Sequence, residues 1–553
     1  MSGINTGKFV RRGVTSFSAI GPVCLRRYWP QLRQGNSDLI ESSKTGIRRF
    51  WDHANRSAQT LEEFLERWSL VFPVILCIIV VLFGFHLASK RQLWFDEIGS
   101  TITLRSLENV SIADSLRQGI DMSPPTYFVI GKFLADVFGY SPHLFRYLSI
   151  GSTCATLLLM FLIAKRWSSA YYGCLIAVTL LHTASLLYLT EGRPYAITVA
   201  ICALAIFAWD RVDTGREYGL ILIMALALSA ALSLHYYAVF FLLPVGLGQL
   251  ARDFSKRSVT WAVWVSLVIP VVTLAAHLPL IRAGQAYYGK HAWQNLLKQS
   301  AMDLYRFLGH DISIVILAAL SLFWFMSWTE GAKATQISRE RWMIIVGIVL
   351  IPIAGHFSGL VVGAVPVARY LLPSVLGLAL LPIMAMASWR PVTSVFRMGI
   401  LAFATISSLR EMRIELISQG RLQIPLGWVR ENVSVADGPV VVSNPAHYLQ
   451  LAYYRESERL PEVRFPDSPE KSVQYTDSDS GTLNLLSYSR VDPRVLPFRW
   501  ERPAKEVWKF QVLRRLNWAS WELTEARLLG GTARLMKVGD GWELFAVEIP
   551  PLH

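Results

Sequence analysis

Long apolar runs, broken by short polar stretches, fill most of the chain up to about residue 410. Residues 69–89 carry no charge apart from what one histidine can take up, and similar runs recur at 147–164, 167–190, 258–281 and 342–368. Each is long enough to cross a bilayer as a helix, which needs about 18 or more residues. The run from Tyr218 to Ala251 is long enough for two short helices meeting near His235. With weaker candidates at 194–209, 312–329, 370–389 and 398–409, the pattern predicts about eleven spans. From about residue 412 the pattern changes. "GPVVVSN" reads as a strand between turn signals, "HYLQLAYYRESERL" as a helix, and "KVGDGWELFAVEI" as a hairpin turning at Gly-Asp-Gly. The expected organisation is a tail over 1–68, a helical bundle over 69–411 and an α/β domain over 412–553.

Composition supports a polytopic α-helical membrane protein. Of 553 residues, 53% are hydrophobic and 17% charged, and the mean hydropathy is +0.36. A net charge of +14 would suggest nucleic acid in a soluble chain. Here it reads as topology, because Lys and Arg collect on the cytoplasmic side and orient the spans. Residues 1–68 hold eleven Lys or Arg, and the loops expected inside hold twelve in 37 residues against twelve in 99 outside. The tail is therefore expected in the cytoplasm, and after eleven spans residues 412–553 lie outside it. Residues 1–37 contain Arg and Ser but no acid, a faint likeness to a transit peptide, and a basic cytoplasmic tail is the simpler reading. The first apolar run is long enough to stay as a signal anchor. No cysteine follows Cys202, so no disulfide framework supports the C-terminal domain.

This orientation sorts the unusual residues onto one face. Asp96 and Glu97 in "WFDEIGS" follow the first span, and Asp121 opens "DMSPPTYFV" in the same loop. Glu191 and Arg193 sit in "EGRPY", His235 in "LHYYAVF", and Arg369 and Tyr370 in "VARYLLP". The 282–311 loop adds Tyr287, Tyr288, His291 and Trp293. Each has a plain structural explanation: hydrated carboxylates, an ion pair, a hydrogen-bonded histidine, a snorkelling cation. Their gathering on one face favours a site, since ionisable groups at membrane depth usually face a cavity or one another. Residues 124–138 contain Lys132 and Asp136, are short for a span, and read as an interfacial helix.

The strings "WFDE", "DMSPP", "LFRYLSIGST", "EGRPYA", "HYYAVFFLLP" and "ARYLLPSVLGLALL", in that order, resemble the polyprenyl-phosphate-sugar glycosyltransferases of the GT-C fold, in the protein O-mannosyltransferase and bacterial lipid A glycosyltransferase group. The resemblance covers about 69–410. Ser123 stands where many bacterial relatives carry His before the Pro-Pro pair. The resemblance implies a GT-C-like bundle that moves one sugar, with inversion, from a polyprenyl-phosphate donor to a hydroxyl on a glycan, lipid or protein acceptor. It implies Asp96 as the base, with Glu97 orienting the acceptor or the loop. Asp121, Glu191, Arg193, His235, Arg369 and Tyr370 are the expected substrate-binding residues. A bacterial inner membrane with a periplasmic site is the expected location.

The chemistry agrees with those residue types. An attacking hydroxyl must lose a proton, which a carboxylate can take. A phosphate leaving group needs cations and donors, and the arginine fork holds two phosphate oxygens at once. The scheme requires no cofactor; zinc-ligand spacing is absent and "HDIS" at His310 is a weak ligand set. Some GT-C relatives use divalent cations, so a cation stays an alternative. Without a P-loop, a nucleotide-driven transporter is disfavoured. A lipid or sugar transporter or flippase is the second reading, and a noncatalytic assembly subunit the third.

Overall fold

The computed structural model describes residues 49–108, 110–288, 299–310, 312, 336–362, 366–389, 393–516 and 518–551. Most of the basic tail, all but the first residue of the expected span at 312–329, and His291 and Trp293 lie outside the described residues. The described residues divide between Leu61 and Glu62 into two units. Residues 49–61 of the first are helical, and everything below concerns the second.

Its helices in chain order are α1 (Val71–Lys90), α2 (Phe95–Ser106), α3 (Ile112–Arg117), α4 (Pro125–Phe138), α5 (Leu144–Trp167), α6 (Ala170–Leu180), α7 (Tyr195–Asp210), α8 (Tyr218–Leu234), α9 (Leu242–Lys256), α10 (Trp261–Tyr288), α11 (Ala301–Gly309), α12 (Arg339–Val349), α13 (Ile351–Val362), α14 (Val375–Trp389) and α15 (Ser394–Leu422). Among the described residues four helices, five if the bent α12–α13 pair counts as one, are long and apolar enough to cross a membrane. Three expected spans are instead the shorter apolar helices α6, α7 and α8. In the expected span 167–190, α6 stops at Leu180 and the chain continues in turns to Thr190. Those turns are almost wholly buried. Irregular backbone is tolerated at membrane depth only where protein surrounds it. The 218–251 run breaks near His235, as its pattern suggests: α8 ends at Leu234, and a 3-10 turn over Tyr236–Phe241 leads into α9.

α4 starts on Pro124 and Pro125, which suit a first helical turn because proline lacks the N–H that is orphaned there. α15 runs on to Leu422, so the expected boundary at 412 falls inside a helix.

Beyond α16 (Leu426–Asn432) lies a six-stranded sheet. Its elements are β1 (Val440–Val442), α17 (Pro445–Glu458), β2 (Val463–Asp467), α18 (Pro469–Thr476), α19 (Ser480–Ser489), β3 (Pro497–Arg499), β4 (Trp508–Arg515), α20 (Trp521–Leu528), β5 (Thr532–Gly539) and β6 (Trp542–Ile549). The strand order is β3-β2-β1-β4-β6-β5, with the first four parallel. β1 is three valines, all buried, as a central parallel strand covered on both faces requires. The β5–β6 hairpin closes on Asp540 and Gly541, both at positive φ, the geometry of a two-residue type I′ turn.

Leu93, Ile98 and Ile102 from the start of α2 share one hydrophobic cluster with Tyr448, Leu449, Leu451 and Tyr488 of the sheet domain. Leu93 N–H donates to Tyr454 Oη at 2.8 Å, and Gln450 Nε2 donates to Leu93 O at 2.9 Å. The sheet domain thereby braces the start of α2, whose first turn carries the carboxylate pair.

Candidate active site

Asp96 and Glu97 are adjacent in sequence and opposite in circumstance. Glu97 is buried. Its Oε1 and Oε2 accept from Arg146 Nε (2.8 Å) and Nη2 (2.6 Å), Arg91 Nη2 stands 3.0 Å from Oε2, and Gly192 N–H donates to Oε1 at 2.8 Å. Burial alone would raise its pKa, but Arg91 and Arg146 outweigh burial and hold it at about 2. Arg146 spends all five of its N–H donors. Two go to Glu97, and three go to the carbonyls of Ala88, Arg91 and Gln92 at the end of α1. Carbonyls at a helix C-terminus have no partner within the helix, so one guanidinium both closes α1 and fixes the first turn of α2. Glu97 is the anchor and sets the position of its neighbour.

Asp96 is the neighbour so placed. Its side chain is 21% exposed, and its Oδ2 lies 3.2 Å from Arg369 Nη2. The Arg369 guanidinium also stands over the rings of Trp94, Tyr195 and Tyr370, 5.6, 6.0 and 5.7 Å from their centroids. His235 continues this aromatic wall, 5.2 Å from Tyr370 and 5.6 Å from Tyr195. Burial, reinforced by Arg193 and Arg369, lowers the His235 pKa to about 3, so the ring is neutral near pH 7.

Arg193 joins the two loops. Its Nη1 donates to Asp121 Oδ2 (2.8 Å) and Ser100 Oγ (2.7 Å), and its Nη2 to Ser123 Oγ (2.9 Å). Ser123 N–H in turn donates to Asp121 Oδ1 at 2.7 Å. In this chain Ser123 therefore carries a structural hydrogen bond to Arg193. Glu191 is buried, and its Oε1 has no hydrogen-bond partner among the described residues. Burial pushes its pKa up to about 7, with Arg91 and Arg369 opposing the rise.

The structure thus brings Asp96, Glu97, Asp121, Glu191, Arg193, His235, Arg369 and Tyr370 into one neighbourhood, linked through the contacts above. Sequence reasoning missed Arg91, Arg146, Trp94, Tyr195 and Ser100. Arg146 had left a signal: an arginine at the mouth of an apolar run is costly unless it is paired. Among the described residues, no three His, Cys, Asp or Glu side chains converge on a common metal position.

No known family profile and no curated protein matches this chain. Among solved structures it is similar to ArnT from Cupriavidus metallidurans bound to undecaprenyl phosphate, at 11% identity and a TM-score of 0.49 over 87% of this chain and 98% of that one. It is also similar to the apo state of the same protein, at 12% identity and a TM-score of 0.43 over 87% and 97%.

Proposed function

We propose that this chain is a membrane glycosyltransferase that moves one sugar from a polyprenyl-phosphate donor to an acceptor hydroxyl, with inversion, on the side of the membrane opposite its basic tail. The observation that carries the reading is the Asp96–Arg369 pair, 3.2 Å apart, partly exposed and set against an aromatic wall. Asp96 accepts the proton of the attacking hydroxyl as that oxygen bonds to the anomeric carbon. The bond from that carbon to the phosphate oxygen breaks, and the lipid phosphate departs with the bonding electrons. Arg369 neutralises the charge that develops on it. Arg369 pairs with Asp96, and a donor phosphate would compete for the same guanidinium. His235, neutral near pH 7, serves as a hydrogen-bonding group on the leaving side. Glu97 holds Asp96 through the Arg146 anchor, and Arg193 with Asp121 and Ser123 holds the facing loop.

The test is purified protein in lipid nanodiscs with a panel of polyprenyl-phosphate sugars and envelope lipid, glycan and protein fractions as acceptors. Release of polyprenyl phosphate coupled to a sugar-modified acceptor is expected with wild type and lost with Asp96→Asn. Movement of the donor across the bilayer without any product would favour a flippase and overturn the reading.

A further inference from the structure

The sheet domain holds a second cavity, of about 540 Å³, that the reaction above does not use. Its place follows from the topology. From β1 the chain steps through α17 to β2 and then β3 on one side, and returns to β4 on the other side of β1. The loops after β1 and β4 therefore diverge and leave a crevice at the carboxyl ends of these strands. In open α/β sheets such a switch point is where ligands bind. The cavity is lined by Ser443 and Asn444 just beyond β1 and by Arg514 and Ser520 at and beyond the end of β4.

The wall has a specific chemistry. Ser443 Oγ and Ser520 Oγ lie 2.5 and 2.7 Å from Glu522 Oε2 and 2.8 Å from each other, in one hydrogen-bonded triad. Glu522 is fully buried, and its Oε1 has no hydrogen-bond partner among the described residues. The two serine protons are spent within this triad, and lone pairs remain on the serine oxygens to accept from a ligand's hydroxyls. Trp521 and Tyr475 supply flat apolar surface, their rings 10° from parallel. Ser520 is engaged by Glu522, and its hydroxyl does not cap the first turn of α20. Two charged pairs beside the cavity balance internally, Arg514 with Glu543 and Lys471 with Glu525, while Arg527 is exposed in the lining. Serine hydroxyls, an aromatic face and the exposed Arg527 guanidinium fit one ligand class.

We infer that this crevice binds a carbohydrate unit bearing one anionic group, a uronate or a sugar phosphate. The inference stands whether or not the transfer reaction does, and binding alone tests it. The full-length protein in detergent is titrated calorimetrically with digalacturonate, glucose 1-phosphate, cellobiose and inorganic phosphate. At least one of the two anionic sugars is expected to bind with a Kd below about 1 mM, and the tighter of the two identifies the anion. Arg527→Glu should weaken that binding at least about tenfold, the scale of losing a charge-assisted hydrogen bond. Thr524→Trp, at an exposed lining position, should block it by bulk. Absence of binding by both anionic sugars, or unchanged binding by both variants, would overturn the assignment. Equal binding of inorganic phosphate would reduce the crevice to a plain anion site, and equal binding of cellobiose would remove the anionic requirement.

Discussion

Helix α7 runs between two charged clusters, and they are built to opposite ends. At its C-terminus Asp210 is buried. Its Oδ1 accepts from Trp167 Nε1 at 2.8 Å and Arg341 Nε at 3.1 Å, and Arg166 Nε stands 3.0 Å from Oδ2. Arg252 lies 3.7 Å over the Trp209 ring and donates to the carbonyls of Trp209 and Val212. Oδ1 is hydrogen-bonded, Oδ2 has no hydrogen bond among the described residues but faces the Arg166 cation, and the nearby helix end is answered by Arg252. At the other end, about 24 Å away at 1.5 Å per residue, lies the Asp96 neighbourhood. Glu97 is equally well answered there, and Arg193 is answered at both terminal nitrogens but not at Nε among the described residues. Asp96 and Glu191 are not: one is partly open to solvent, and the other holds an oxygen with no partner among the described residues. A cluster that serves only folding pairs each of its charges, as arginines do on both Asp210 oxygens. A cluster that meets a ligand leaves some bonding capacity unspent, and the surrounding anchors meet the cost of that strain.

The sharpest way to break this contrast is to remove one acid from each end. Asp96→Asn keeps the shape of the side chain and removes the proton acceptor. Turnover should fall about a hundredfold or more, the usual scale for a general base, while the thermal unfolding midpoint stays with wild type. Asp210→Ala strands the Trp167 donor and the cations of Arg166, Arg211 and Arg341. It should cost about 3 kcal/mol of stability, with turnover per folded molecule unchanged. Scanning calorimetry and initial rates on the same preparations read both quantities. A folded, fully active Asp96→Asn, or an Asp210→Ala that loses activity without losing stability, would dissolve the distinction.

How much of this was legible in the sequence follows from the period of each signal. The break at His235, the proline start of α4, the strand "VVV" and the Gly-Asp-Gly hairpin are local signals, and each element lies where its residues point. Residues 167–190 read as one apolar span because hydropathy registers burial and not helix continuity. α6 stops at Leu180 and buried turns follow. Likewise α15 passes residue 412 because a charged, amphipathic continuation is invisible to a search for apolar runs. At the site, acids and arginines near helix ends stood out one by one. Their partners did not, because Arg146 meets Glu97 across 49 residues and Tyr454 meets Leu93 across 361. Nothing in the composition separates Glu97 from Asp96. Only the pairing with Arg146 divides the anchored carboxylate from the partly open one.

A milder change sharpens the contrast at Arg369. Its guanidinium touches Asp96 and faces three aromatic rings, so it could act as a simple counter-charge or as a two-pronged phosphate holder. Lysine preserves the charge and loses the planar fork. Arg369→Lys should weaken donor use by about tenfold, or about 1.4 kcal/mol, with expression and membrane insertion intact. Initial rates against polyprenyl-phosphate-sugar concentration measure it. Superimposable curves for the two proteins would leave Arg369 as a counter-ion only and pass the phosphate to Arg193 or His235.

The smallest expected effect is a slope. Glu191 is buried, and its pKa is raised from the ordinary 4.5 to about 7. Below about pH 4.5 it is protonated whether the chain is folded or unfolded. Between there and about pH 7 the folded protein keeps a proton that the unfolded chain has released, so its contribution to stability falls as pH rises through that window. His235 acts in the opposite direction. Its folded pKa is lowered from 6.5 to about 3, so its contribution is lost as pH falls below about 6.5. From pH 4.5 to 6.5 the two slopes oppose, and wild type should change little. Glu191→Gln removes one of them and keeps the side chain's shape. The variant should therefore gain on wild type by about 1 kcal/mol as pH rises from 5 to 6, since one proton over one pH unit amounts to about 1.4 kcal/mol. Thermal unfolding of both proteins in the same detergent at pH 5 and pH 6 gives the difference. Parallel behaviour would mean that Glu191 is already ionised at pH 5 in the folded protein. The unanswered carboxyl at this end of α7 would then be charged, and its burial would have to be offset by Arg91 and Arg369.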